Sequence, residues 1–324
     1  MSDREIADFL AIVPLLAGRD DDDLMSLARV VRRRTLRAGE TLWRLGDEAR
    51  ELVFVVDGVL SASLHLPGDR TVEIWRGGRG DAVGEIALID GRGHTMGVRV
   101  LETATLLSLG RVEFAALLAR QDSSAIGLRR HLATLFTSRH RAQLGDLAAS
   151  LGGEPAGPQA GDAVRTFAEL EPSGPPDSRY VRRLATFHDL DALALWSFLT
   201  SGTYATCPPG RALLVEGAPS TACYLTMNGA VEKVLLRGDR RIRVGLAGPG
   251  RTIGYESFID GGPSPVTAIT RERALLLVLP RGPFEQLFRG DDAVSRVFLD
   301  VIQRELVAAL RQSLRQHARL AASV

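Results

Sequence analysis

Apolar positions along the chain fall into short runs rather than long periodic stretches. Segments 41–45, 52–56, 60–66, 71–75 and 104–109 are rich in Val, Leu, Ile and Thr, with Gly, Asp and Pro between them. That spacing predicts short strands closed into a sandwich or roll. Asp57-Gly58 and Asn228-Gly229 each sit between two apolar runs and predict two-residue hairpin turns. Helical patterns flank the strands. A helix over 20–31 opens on four aspartates, which suit the positive end of a helix dipole. Further helices are expected over 111–118, 126–151 and from 293 to about 319. On the last, Phe298, Ile302, Leu306, Leu310 and Leu314 form one i, i+4 stripe, read either as a face packed on its own barrel or as a homodimer seam.

The pattern occurs twice. Gly39, Gly46 and Gly58 recur as Gly210, Gly217 and Gly229 at a constant offset of 171, and Val83-Gly84-Glu85 recurs as Ile253-Gly254-Tyr255 at 170. So long a period marks a duplicated domain, since solenoid repeats are far shorter. The expected architecture is α+β: two jelly-roll-like β-roll (double-stranded β-helix) domains, each flanked by N- and C-terminal helices. Residues 10–151 form the first and 179–324 the second. A Gly/Pro-rich linker, 152–178, joins them, with one helical turn near 164–170.

The order Arg37-Ala38-Gly39-Glu40, Leu45-Gly46-Asp47, Val53-Phe54-Val55-Val56-Asp57-Gly58, Gly84-Glu85-Ile86-Ala87-Leu88 resembles the cyclic-nucleotide-binding domain. That family includes the catabolite activator protein and the regulatory subunits of cyclic-AMP-dependent kinase. The resemblance covers roughly 10–140 and, more loosely, 181–310. It implies a phosphate-binding cassette. In such a cassette a Gly lets the backbone approach the ligand and a short helix aims N–H groups at the anion. A carboxylate then accepts from a ribose hydroxyl, and an arginine makes charge-assisted bonds to the cyclic phosphate.

By that resemblance Gly84 and Glu85 match the first roles, and Ile86 and Ala87 take the backbone-donor positions. His94, followed by Thr95, stands where the arginine is expected, and Met96 and Gly97 also break the pattern. Arg92 would replace the missing cation only if its loop turned it inward. Losing a hydrogen bond to a charged group, worth about 1.5–3 kcal/mol, weakens binding roughly 10- to 150-fold. The second cassette departs further. Gly254 is kept, but Tyr255 replaces the carboxylate, Ser264 replaces the arginine, and Pro265 removes a neighbouring donor. Glu256 comes one residue late and is expected to point elsewhere, while Tyr255 is expected to fill the pocket and hydrogen-bond within it.

Length and charge agree with this reading. A chain of 324 residues suits two domains. Lys+Arg 40 against Asp+Glu 39 leaves no general attraction for nucleic acid or an acidic membrane. Lys233 is the only lysine, an arginine excess read as codon bias. Cys207 and Cys223 lack the spacing of a zinc site or disulfide framework. His65, His94, His131, His140, His188 and His317 are scattered without metal-ligand spacing, and Asp20–Asp23 lacks the glycine of a calcium loop. No local nucleophile–base arrangement suggests an enzyme, and no cofactor is expected beyond a cyclic nucleotide in the first domain.

The apolar stretch 9–17 is interrupted by Pro14 and is about half a bilayer span, so a soluble, cytoplasmic protein is expected. Neither long helix is followed by room for a DNA-reading helix-turn-helix, and Arg311, Arg315 and Arg319 read as a solvated face. Arg182-Arg183-Leu184-Ala185-Thr186 looks like a kinase pseudosubstrate and is read as coincidence. Two readings stand: a regulatory or scaffold protein acting on a protein partner, or a sensor that binds a nucleotide in its first domain only.

Overall fold

The computed structural model describes residues 1–66, 70–120, 122–152, 170–184, 187, 191–238 and 240–322. Ala185, Thr186, His188 and the turn expected within 164–169 lie outside them. Two compact units emerge, Met1–Leu135 with Leu314–Val324, and Phe136–Ser313, so the division falls inside two long helices.

The first unit opens with α1 (Asp3–Ala11), whose Ser2 and Glu5 form a reciprocal capping box. Asp20 then caps α2 (Asp21–Ala28) by accepting from the Asp23 N–H at 2.8 Å. Asp23 is buried and takes a 2.9 Å bond from Arg120, so the acidic run serves a helix start. The strands follow as β1 (Arg32–Leu36), β2 (Thr41–Trp43), β3 (Glu51–Leu66), β4 (Arg70–Gly77), β5 (Ala82–Val83) and β6 (Gly97–Gly110), with α3 (Glu85–Asp90) between the last two. They pair antiparallel in the order β1-β6-β3-β4; β2 is added to β6 and β5 to β3. Val53, Val55, Leu60, Ala62, Val98, Val100, Ala104, Leu106 and Trp43 form the apolar interior. Helices α4 (Arg111–Ala119) and α5 (Ser123–Leu151) follow.

The hairpin expected at Asp57-Gly58 is absent. The chain continues along β6 on both sides, pairing Val55 with Leu106 and Val59 with Glu102 through a run of bulges. Gly58 (φ +90°) is required because a Cβ there would stand 2.6 Å from the Ala104 backbone. A left-handed glycine that bends one strand around a corner leaves the same sequence signal as a hairpin turn. Asn228-Gly229 is corrected in the same way, since the strands it joins belong to different sheets.

Those strands lie in the second unit, in the order β7 (Glu171–Pro172), β8 (Thr203–Cys207), β9 (Ala212–Leu214), β10 (Ala222–Asn228), β11 (Val231–Arg237), β12 (Arg240–Ala247), β13 (Thr252–Ile253), β14 (Thr267–Thr270) and β15 (Ala274–Pro280). One sheet runs β13-β10-β15-β8-β7 and the other β12-β11-β14-β9. The flanking helices are α6 (Ser178–Val181), α7 (Ala192–Leu199), α8 (Glu256–Ile259), α9 (Arg281–Arg289) and α10 (Ala293–Ala322). All five residues of the α10 stripe are buried within the single chain. Arg315 and Arg319 are exposed and Arg311 is half-buried. Cys207 and Cys223 are buried, and burial pushes both thiols up, away from reactivity. Among the described residues no helix is long and apolar enough to cross a membrane, and no group of three or more His, Cys, Asp or Glu could hold a metal.

Candidate functional site

In each roll a short strand runs into a left-handed glycine, then a short helix. Gly84 (φ +109°) precedes α3, and a Cβ there would meet the Glu51 carbonyl oxygen at 2.7 Å. Gly254 (φ +82°) precedes Tyr255 and α8. Ten residues beyond each glycine the chain returns to the turn before β3 or β10 and is clamped there. His94 N–H donates to the Asp47 carbonyl at 2.9 Å, and Gly46 N–H donates to the His94 carbonyl at 2.9 Å. Ser264 N–H donates to the Ala218 carbonyl and Gly217 N–H to the Ser264 carbonyl, both at 2.9 Å. The two residues therefore hold the same place in the two rolls.

Their side chains do different things. The His94 imidazole is buried and stacks on the Trp43 indole, with centroids 4.0 Å apart and planes 6° from parallel. The same indole would lie 3.3 Å from a Cβ at Gly84, so Trp43 spans from the cassette glycine to its far end. Asp47, Glu48, Arg50 and Glu51 complete, with Leu42 and this ring pair, a cavity of about 340 Å³. Glu51 is paired with Arg34 at 2.5 Å and Glu48 with Arg50 at 3.5 Å. Glu85 and Ala87 are buried, Ile86 and Thr95 half-buried, and Arg92 is exposed. Trp43 escaped the sequence reading, although a tryptophan inside a predicted strand was the available signal.

In the second roll the Ser264 hydroxyl turns back on its own loop and donates to the Val266 carbonyl at 2.7 Å. Tyr255 is wholly buried. The expectation that it would hydrogen-bond in the pocket is corrected: its hydroxyl has no partner among the described residues, and burial pushes it well above the usual tyrosine range. Glu256 does point elsewhere. It is buried against His140 of α5, Oε1 to Nδ1 3.6 Å. Burial alone would raise its carboxyl, but His140, with Lys233 behind it, holds it below the usual range. His140 is pushed down, chiefly by burial. Arg251 pairs with buried Glu305 of α10 at 2.5 Å, and Arg237 is committed bidentately to Glu216 at 2.7 and 3.0 Å. Glu256 meets His140 from a distant helix and Lys233 from β11, and no local motif announces them.

A family model for the cyclic nucleotide-binding domain matches residues 33–121 and 205–291, together more than half of the chain. The chain belongs to the cyclic nucleotide-binding domain family. It carries two such domains. Over 108 residues it is 34% identical to a cyclic nucleotide-gated potassium channel of Mesorhizobium japonicum, a stretch covering 33% of this chain and 28% of the channel. Over 106 residues it is 29% identical to an uncharacterized NTE family protein of Mycobacterium bovis, covering 33% and 18%. The chain thus spans less than a third of the length of these curated relatives. Among solved structures, the regulatory domain of Toxoplasma gondii PKA with cAMP aligns over 91% of this chain and 94% of that one, at 18% identity and a TM-score of 0.36.

Proposed function

We propose that this cyclic-nucleotide-domain protein is a non-enzymatic, cytoplasmic regulatory or scaffold protein that works through a protein partner. In this reading neither cassette takes cyclic AMP in the family's usual way. One observation carries it: His94 and Ser264 share one structural place, and neither presents a permanent cation there. The serine hydroxyl is spent on Val266. The imidazole lies flat on Trp43, beside a cavity whose wall includes the Asp47, Glu48 and Glu51 carboxylates. Arg50 on that wall is paired with Glu48, and Glu51 with Arg34. In the second domain Tyr255, wholly buried, stands where the resemblance expects a ribose-binding carboxylate.

The alternative, a sensor reading a nucleotide through the first domain alone, is favoured by left-handed Gly84, buried Glu85 and the neighbouring cavity. Thermal unfolding with millimolar cyclic AMP and cyclic GMP separates the two, because a ligand of the native state raises the melting temperature by mass action. The proposal expects no shift. A shift abolished by Glu85→Ala but kept in Tyr255→Ala would transfer the case to the first-domain sensor.

A further inference from the structure

Helix α8 has only four residues, too few to stand by its own hydrogen bonds. Something else must hold it and the loop that follows, and adjacent residues of α5, all within the second unit, do so. His140 reaches the buried Glu256 carboxylate at the start of α8. Arg141 forks onto Asp260 at its end, with Nη2 donating to Oδ1 at 2.9 Å and Nε to Oδ2. The remaining Arg141 nitrogen, Nη1, donates to the Pro263 carbonyl at 2.7 Å, one residue before Ser264. Gly261 (φ +75°) and Gly262 let the loop wrap the guanidinium, since a Cβ at Gly262 would stand 3.0 Å from Nη2.

We propose that the second cassette is a seat for the chain's own helix α5, latched by Arg141 on Asp260 and Pro263, with His140 set against Glu256. The proposal rests on the reading above that this cassette takes no cyclic phosphate. It gives the displaced carboxylate a purpose: moved one residue along the chain, Glu256 faces α5 instead of the roll interior. The cation that fixes the 260–264 loop comes from outside the cassette, from Arg141. Asp260 and Arg141 are each 22% exposed, so the fork is shielded from much of the solvent that weakens surface pairs.

Amide hydrogen exchange on the full chain tests the latch. Arg141→Asp and Asp260→Arg should each speed exchange of amides in 256–262 by about tenfold or more. The double charge reversal should return it to within about threefold of the unmodified protein. Asp146→Ala, an exposed position on the same helix, should change nothing. The latch is overturned if single reversals leave 256–262 as protected as before, or if the double reversal exchanges as fast as either single. Should Arg141→Asp also loosen β10 and β15, Asp260→Asn is read by the same criterion. Slowing of 254–264 by millimolar cyclic AMP would instead sink the reading of the cassette as ligand-free, leaving the reversal pair to decide the latch.

Discussion

At the scale of single residues, His94, Tyr255 and Ser264 carry the proposed departure from the family's chemistry. Tyr255 buries a hydroxyl with no partner among the described residues, and an unmet buried hydroxyl costs about 1–3 kcal/mol. Tyr255→Phe should therefore stabilise the second unit by about 1 kcal/mol, visible by calorimetry as a melting temperature higher by about 2–4 °C. An unchanged or lower value would mean that the hydroxyl is satisfied. Gly84 behaves oppositely. Its φ of +109° and the Glu51 oxygen at 2.7 Å leave no room for a methyl group. Gly84→Ala should cost about 1–3 kcal/mol in denaturant unfolding. His94 and Trp43 explain why this glycine is retained whether or not a ligand comes: it is needed for the fold of the turn.

At the scale of elements, the run pattern located β2, β3, β4 and the end of β6, and helices α2, α4, α5 and α10, because apolar runs there are ended by turn residues. The corner at Gly58 was not legible, since a left-handed glycine has one signature and two uses. The seat of Glu256 was half legible. Its displacement by one residue is written in the sequence, but its partner His140 lies 116 positions earlier on a helix that reads as part of the first domain. That pair sets a pH dependence. His140 faces Glu256 from α8, Lys233 from β11 and its neighbour Arg141, and burial dominates to hold it below its ordinary 6.5. Folded His140 thus binds a proton less readily than unfolded His140, so the second unit should lose stability as pH falls below about 6.5. Glu256, held low, adds its loss only below about 4.5, while Glu305, raised by burial, works with the opposite sign just above that value. His140→Gln isolates the histidine. Its unfolding free energy should vary less between about pH 6.5 and 5 than that of the unmodified chain, and equal slopes would exclude His140 as the source.

At the scale of the whole molecule, duplication produced two rolls with the same clamp, which holds His94 in one and Ser264 in the other. The repeat was legible because glycines at 39, 46 and 58 serve backbone conformations that any copy of the fold must reuse. The contents of the cassettes were legible only as absences, an arginine missing at His94 and another at Ser264. What occupies those places depends on residues distant in sequence, Trp43 and α5, which no spacing rule connects to them. Isothermal titration of the full chain with cyclic AMP tests the central claim most directly. With His94 and Ser264 in the places where the arginines are expected, the account predicts no saturable heat below millimolar ligand; a submicromolar dissociation constant would contradict it.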